Sequence, residues 1–465
     1  MKHVVIIGNG IAGVTAARYI RKMSDCAITM ISAESKYFFS RTALMYVYMG
    51  HMRWKDIQPY ENWFWDKNRI NLIQAYVQRV DPQEKKVYLS SGKDVMYDDL
   101  VLACGSTFNK FGWPGMDLEG VGGLYSMQDY EYMEYYTKDA KRGIVVGGGL
   151  IGIEMAEMLH SRDIDCTFLV REPDYWSKVL PPEESAMVTR HIRENHIDLR
   201  LSTELKEIVG DENGRVKGIY TNKGDYIECE WVGLCVGVHA NTGFLKDSGI
   251  EMNRGILVNN FCETNIENIY AIGDCAEMRT PMQGRRPMEQ IWYTAKMMGE
   301  VVAMTITGKR TVYHPGIWFN SAKFFDIEYQ IYGDVPAQQS AESETLYWES
   351  ADGKKAIRIN YSKSTGTIEG LHLMGVRYRH LVCERWIAED AHIEEVLKNL
   401  SAANFDPEFY AEYEPFVVRL YKEKTGKDIR LNRRSRLYSL IFGKRNDGRK
   451  GKYGHQYGDP EHAKV

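Results

Sequence analysis

The stretch Lys2-His3-Val4-Val5-Ile6-Ile7-Gly8-Asn9-Gly10-Ile11-Ala12-Gly13 decides the fold. Residues 2–7 are a short run rich in β-branched side chains, the composition of a buried strand. They lead directly into three glycines spaced as G-x-G-x-x-G, and a helical pattern follows from Val14 to Met23. Strand, glycine turn and helix in that order bring backbone N–H groups and the positive end of a helix to one point, where a pyrophosphate binds. Gly8 permits the tight turn, Gly10 removes a side chain where phosphates approach, and Gly13 lets helix and strand pack closely, with Ile11 and Ala12 between them. A second apolar run, from Ala27 to Ser32, ends just before Glu34, which lies 21 residues beyond Gly13 (34 − 13) and is placed to grip ribose hydroxyls.

The pattern returns. Gly143 to Val146 is a strand-like run, and Gly147, Gly149, Leu150, Ile151 and Gly152 repeat the turn, followed by Glu154 and Ala156. Two dinucleotides are implied. The next strand, Cys166 to Val170, ends on valine where the first unit's pattern asks for an acid, and Arg171 and Glu172 come next. An arginine suits a 2′-phosphate and an acid suits a free ribose, so NADP and NAD both stay open.

At 465 residues the chain exceeds one ordinary core, and 44% hydrophobic with 26% charged residues is the composition of a globular protein. No stretch approaches the ~20 apolar residues of a membrane span, and Met1-Lys2-His3 runs straight into a strand, so a cytoplasmic location is expected. The eight cysteines show no C-x-x-C or C-x-x-x-x-C spacing, which argues for reduced thiols and against a metal centre. Net charge is −4, unevenly spread: Lys424 to Lys452 holds eleven basic and two acidic residues, leaving the remainder near −13. A glycine-interrupted basic run of this kind is a solvated segment rather than a nucleic-acid site.

Tyr97 to Ser106 reads as a buried strand ending in a glycine turn, Ala103-Cys104-Gly105. The run ending Val236-Gly237-Val238 closes the second unit. Asn268 to Asp274 reads as a strand ending on Gly273 and Asp274, ahead of a helix-prone stretch; the carboxylate suits either ligand hydroxyls or a helix N-cap. Residues 289–306 have helical periodicity, with Trp292, Ala295, Gly299 and Val302 near one face. From Tyr313 the pattern changes to aromatic strands, Phe324 to Tyr329, Leu346 to Trp348, Ala356 to Ile359 and Ile368 to Gly375, then helices over 381–390 and 393–400.

With these motifs the chain resembles the FAD/NAD(P)-dependent pyridine nucleotide-disulfide oxidoreductases over residues 1–310, and more loosely over 313–400. The resemblance implies an α/β fold: two doubly wound Rossmann-like dinucleotide-binding domains, the second inserted in the first, plus a C-terminal α+β interface domain. Its boundaries are 1–125 and 255–312 for FAD, 126–254 for NAD(P), 313–425 for the C-terminal domain and 426–465 for a basic tail. It implies FAD on Gly8, Gly10, Gly13 and Glu34, with Ala103-Cys104-Gly105 as the family's "ATG" turn and Asp274 on the flavin ribitol. NAD(P)H is implied on Gly147 to Gly152.

The departure from the family is at Ser40-Arg41-Thr42-Ala43-Leu44, where disulfide reductases carry their redox cysteines. The segment is more similar to that of ferredoxin- and rubredoxin-reductase-like flavoproteins and nitrite-reductase flavin domains, which puts Arg41 on the FAD pyrophosphate. The family's lysine near the flavin is also missing, with Met45 nearby. Glu154 is expected at the nicotinamide carboxamide, or as an ordinary acid in the first turns of a helix. Glu289 to Trp292 is expected beside the isoalloxazine, with a core role for Trp292 as the alternative.

The function implied is hydride transfer from NAD(P)H to flavin, with electrons passing to an external acceptor such as a ferredoxin-like carrier. Two alternatives stay open: an NAD(P)H:quinone reductase held at a membrane surface by the basic segment, and a redox-sensing flavoprotein that does not turn over. A homodimer through the third domain is a family expectation.

Overall fold

A computed structural model of the chain describes residues 1–405 and 411–432. Most of the basic tail expected over 426–465 therefore lies outside the described residues. Contacts divide the chain into two units, one of Met1–Tyr175 with Ile192–Pro315 and one of Trp176–His191 with the residues from Gly316 on.

The first unit holds two five-stranded parallel sheets of the same design. In one, the order is Ile269–Ala271, Asp99–Leu102, His3–Ile7, Ala27–Ser32, Ile70–Gln74. In the other it is Val121–Gly122, Trp231–Leu234, Arg142–Val146, Asp165–Val170, Asp198–Leu201. Each also has a three-stranded antiparallel meander between its outer strand and the one that returns beside the first: Val77–Asp81, Lys86–Leu89 and Asp94–Met96, and Leu205–Gly210, Val216–Thr221 and Tyr226–Glu228. The central strands are buried on both faces, which is why they read as unbroken apolar runs.

The helix after the first glycine turn spans Ile11–Met23. It begins three residues before the expected Val14, because packing rather than propensity sets its start. A Cβ on Gly13 would stand 2.1 Å from the Gly8 carbonyl oxygen, so only glycine lets the helix pass this close to the strand. On its other side the helix Trp292–Ile306 packs equally closely, since a Cβ on Gly299 would meet the Ala12 carbonyl oxygen at 2.6 Å.

Three expectations are corrected. Asp274 lies in a 3-10 turn, Gly273–Cys275, that runs into the strand Ala276–Met278, so no helix follows for it to cap. Trp292 is not on the core face of its helix; it is 37% exposed, while Thr294, Ala295, Met298 and Val302 are buried. The run Phe324 to Tyr329 is two strands, Phe319–Phe324 and Ile327–Gly333, joined by a tight turn with Phe325 at φ 54°.

The second unit is a five-stranded antiparallel sheet in the order Phe319–Phe324, Ile327–Gly333, Ile368–Met374, Ala356–Ser362, Ser343–Glu349. The helices His380–Ala388, Ile393–Lys398 and Glu414–Thr425 share an apolar core with it. Arg358 and His372 face one another across adjacent strands, and both bind the fully buried Glu184 from the segment Trp176–His191.

Candidate functional site

A cavity of about 700 Å³ opens at the carboxyl ends of the first sheet, where a doubly wound fold places its ligand. Gly8, Gly10, Ile11 and Ala12 form its floor. Gly8 has φ 108°, and a Cβ there would stand 2.0 Å from the Ala103 carbonyl oxygen. Gly10 is the opposite case, with nothing within 4 Å of an added Cβ, so its missing side chain leaves open space. The helix that starts there has no side-chain cap and no acid in its first turn, so its first N–H groups are left for an anion. Gly13 packs beneath and does not line the cavity.

The Asn9 side chain ties the glycine turn to the loop after the second strand. It donates to the Ser35 carbonyl at 2.8 Å and accepts from the Ser32 hydroxyl at 2.9 Å. That loop presents Glu34, which Arg41 holds in a bidentate pair at 2.7 and 2.6 Å while the Met127 N–H donates to the same carboxylate at 2.8 Å. Burial opposes the Arg41 charge, but Glu34 outweighs it and the guanidinium is held well above its ordinary value. Arg41 also bonds the Tyr125 carbonyl and lies over the Tyr125 ring.

The far wall is built from Ala103, Cys104, Gly105, Gly273 and Asp274. Tyr125 joins its two turns, accepting the Ser106 N–H at 2.9 Å and donating to Asp274 at 3.0 Å. Burial raises the Asp274 carboxyl, and the Tyr125 hydroxyl and Arg41 oppose the rise. Gln290, Ile291 and Trp292 close another side, with the Gln290 amide donating to the Ser106 hydroxyl at 3.0 Å. Glu289 does not reach the cavity wall; it pairs with Arg285 at 2.5 Å. Ile151 and Glu154 enter from the helix Leu150–His160, and Glu154 is raised to about 7, first by burial and then by Glu157.

The second glycine turn repeats the first bond for bond. The Gly147 N–H donates to the Leu169 carbonyl at 3.0 Å as Gly8 does to Ile31 at 2.8 Å, and Cys235 reaches Val146 as Ala103 reaches Ile7, both at 2.8 Å. A Cβ on Gly152 would meet the Gly147 carbonyl oxygen at 2.1 Å, as Gly13 does Gly8. Gly149 stands uncapped and open before the helix Leu150–His160, with no acid in its first turn. Gly237, at φ 90°, takes the place of Gly105, at φ 67°. By the same register Glu34 lies three residues past Ile31 and Glu172 three past Leu169. The acid at the register of Glu34 is therefore Glu172 rather than the residue at Val170, and Arg171 is paired with it at 2.9 Å. Gly147, Gly149, Leu150, Gly152, Arg171, Glu172 and Gly237 thus frame a second turn, apart from the walls of the cavity.

Residues 2–299 match the model of the pyridine nucleotide-disulphide oxidoreductase family. The chain belongs to that family. A nitrite reductase [NAD(P)H] of Bacillus subtilis is 34% identical over 60% of this chain, which spans only 35% of that protein. An NADH-rubredoxin oxidoreductase of Clostridium acetobutylicum is 32% identical over 67% of this chain and 76% of its own length. The crystal structure of a ferredoxin reductase from Rhodopseudomonas palustris superposes with a TM-score of 0.74 at 23% identity, covering 89% of this chain and 98% of that one. The chain is an FAD-dependent NAD(P)H oxidoreductase, and no C-x-x-x-x-C pair follows Glu34. Among the described residues, no helix is long and apolar enough to cross a membrane.

The site residues that the motifs did not reveal are Asn9, Ser106 and Tyr125, whereas Gln290 falls in the expected stretch 289–292. Only Asn9 carried a usable signal, its place between the first two glycines.

Proposed function

We propose that this chain is an NADH-dependent flavoprotein reductase that delivers electrons to a small external carrier of the ferredoxin or rubredoxin type. The observation that carries the reading is the register equivalence of Glu172 with Glu34. A carboxylate there accepts hydrogen bonds from a free ribose and repels a 2′-phosphate, and its pairing with Arg171 makes that arginine a poor phosphate ligand.

FAD, when bound, supplies both acceptance of a hydride and release of single electrons. The glycine floor with the helix of Ile11 and Ala12 would hold its pyrophosphate. Glu34 would hold its ribose, with Arg41 moving between that carboxylate and the phosphates. Asp274, positioned by Tyr125, would bind the ribitol, and Gly147 to Gly152 would hold the nicotinamide nucleotide. Ile151, Glu154 and Trp292 line the wall where the nicotinamide would enter, excluding water and fixing its orientation. With no cysteine at the position of Arg41, no thiol relay stands after Glu34, and electrons leave directly to the acceptor.

Anaerobic stopped-flow mixing with NADH and with NADPH, followed by ferredoxin, a quinone analogue or air, tests this. Rapid bleaching by NADH and rapid reoxidation by the iron–sulfur carrier are the expected results. Preference for the quinone, with sedimentation on anionic vesicles, would replace the carrier with a membrane-surface acceptor. Bleaching slower than minutes with both nucleotides would leave a sensing flavoprotein.

A further inference from the structure

The two glycine turns share their backbone bonds and differ in the side chain that anchors them. In the first, Asn9 reaches out of the turn to Ser32 and Ser35, on either side of Glu34. In the second, the residue after Gly147 is Gly148, which has no side chain to reach with, and a Cβ there would stand 2.8 Å from the Val170 side chain. Val170 occupies the register position of Ser32, so close packing takes the place of the polar tie.

The anchor comes from the opposite direction. Three residues past Glu172, Tyr175 is wholly buried, its ring centroid 6.0 Å from that of Phe168, and its hydroxyl donates to the Gly149 carbonyl at 3.2 Å. The same carbonyl accepts the Ile153 N–H at 3.2 Å at the start of the helix Leu150–His160. A peptide group is planar and trans, so its C=O and N–H point opposite ways. Two donors on the Gly149 oxygen therefore aim the Leu150 N–H out of the helix start, where it has no acceptor within the helix and where an added Cβ on Gly149 would meet nothing within 4 Å. Burial first, and then Glu154, push the Tyr175 phenol well above its ordinary value, so the hydroxyl keeps its proton and stays a donor.

We propose that Tyr175 is a positioning residue for the nicotinamide nucleotide, holding the Gly149–Leu150 peptide so that the Leu150 N–H meets the nucleotide's diphosphate. The proposal rests on the reading of Gly147 to Gly152 as the turn that holds that nucleotide. The diphosphate is common to NADH and NADPH, so Tyr175 serves both, whereas Glu172 distinguishes them. Tyr175 acts through the turn and touches no reacting atom; it governs binding and leaves the hydride step alone.

The test is Tyr175→Phe in the FAD-loaded protein, which removes the hydroxyl and keeps the buried ring. Anaerobic flavin reduction is followed over a range of NADH and of NADPH concentrations, NAD+ binding is measured by calorimetry, and bound FAD and melting temperature are recorded beside them. The dissociation constants of all three nucleotides are expected to rise together by about 3- to 10-fold, with the limiting rate of reduction and the FAD content unchanged. A loss confined to one nucleotide, a fall in the limiting rate at unchanged affinity, or a lowered melting temperature at unchanged affinity would overturn the proposal. Gly149→Ala puts a methyl into the open space of the turn and tests the underlying reading separately. If Gly149→Ala weakens all three nucleotides and Tyr175→Phe weakens none, the turn holds the nucleotide and Tyr175 does not position it. If neither variant alters nucleotide binding, the reading of the turn falls and the proposal falls with it.

Discussion

Glu154, raised to about 7, lines the cavity wall where, on the proposed reading, the nicotinamide would enter and would gain positive charge as it gives up a hydride. Above that pH the carboxylate stabilises the developing charge, and below it the neutral acid does not. Flavin reduction by NADH is therefore expected to quicken by about tenfold as pH rises through 7, and Glu154→Gln should give a flat profile near the low-pH rate. A profile unchanged by the substitution would remove Glu154 from the reaction. Glu172→Ser tests the ribose acid: loss of a charged hydrogen bond should cost NADH about 10- to 100-fold in kcat/KM and leave NADPH level or improved. Equal losses for both nucleotides would mean that Glu172 does not choose between them. At this scale the glycines, Glu34 and Asp274 were legible because the motif fixes their spacing. The Tyr125–Asp274 bond was not, since it joins residues 149 apart in sequence and only the folded sheet brings them together.

Among the elements, the first glycine turn separates binding from packing within four residues. Gly10→Ala puts a methyl into open cavity space, so the chain should fold unchanged while FAD affinity falls. Gly13→Ala drives a methyl against the Gly8 carbonyl and should lower stability by about 1–3 kcal/mol. Calorimetry of the FAD-free protein with flavin titration distinguishes the two, and similar melting shifts would break the assignment. In the second unit, Arg358→Met leaves the fully buried Glu184 bonded to the His372 ring but without the guanidinium, and should cost about 3–5 kcal/mol in denaturant unfolding. Burial pushes the Glu184 carboxyl up, but His372 and Arg358 outweigh it and hold it below the ordinary glutamate value, so this stabilisation is present at neutral pH and lost as pH falls through that lowered value. Most strands of this unit were readable from aromatic and β-branched runs. The turn at Phe325 was not, because a bulky residue at positive φ leaves no glycine or asparagine to announce it.

Across the whole molecule, the duplicated sheet was visible in the repeated glycine motif, while the bond-for-bond repetition that aligns Glu172, rather than Val170, with Glu34 was not. Counting from glycines cannot see how many residues a strand uses before it turns; the hydrogen-bond register can. Charge is the other molecule-wide property. Residues 433–465 carry nine basic and three acidic side chains on a chain whose net charge is −4, so the two parts act oppositely on an acidic carrier. If the basic segment steers that carrier, the second-order rate of reoxidation by an acidic ferredoxin should fall about tenfold between low salt and ~0.2 M, as screening shortens to ~8 Å. A chain ending at Asn432 should start lower at low salt and lose little as salt rises, with flavin reduction by NADH unaffected. Identical salt profiles for the full and shortened chains would show that the segment takes no part in docking, and would leave the hydride-transfer half of the reaction untouched.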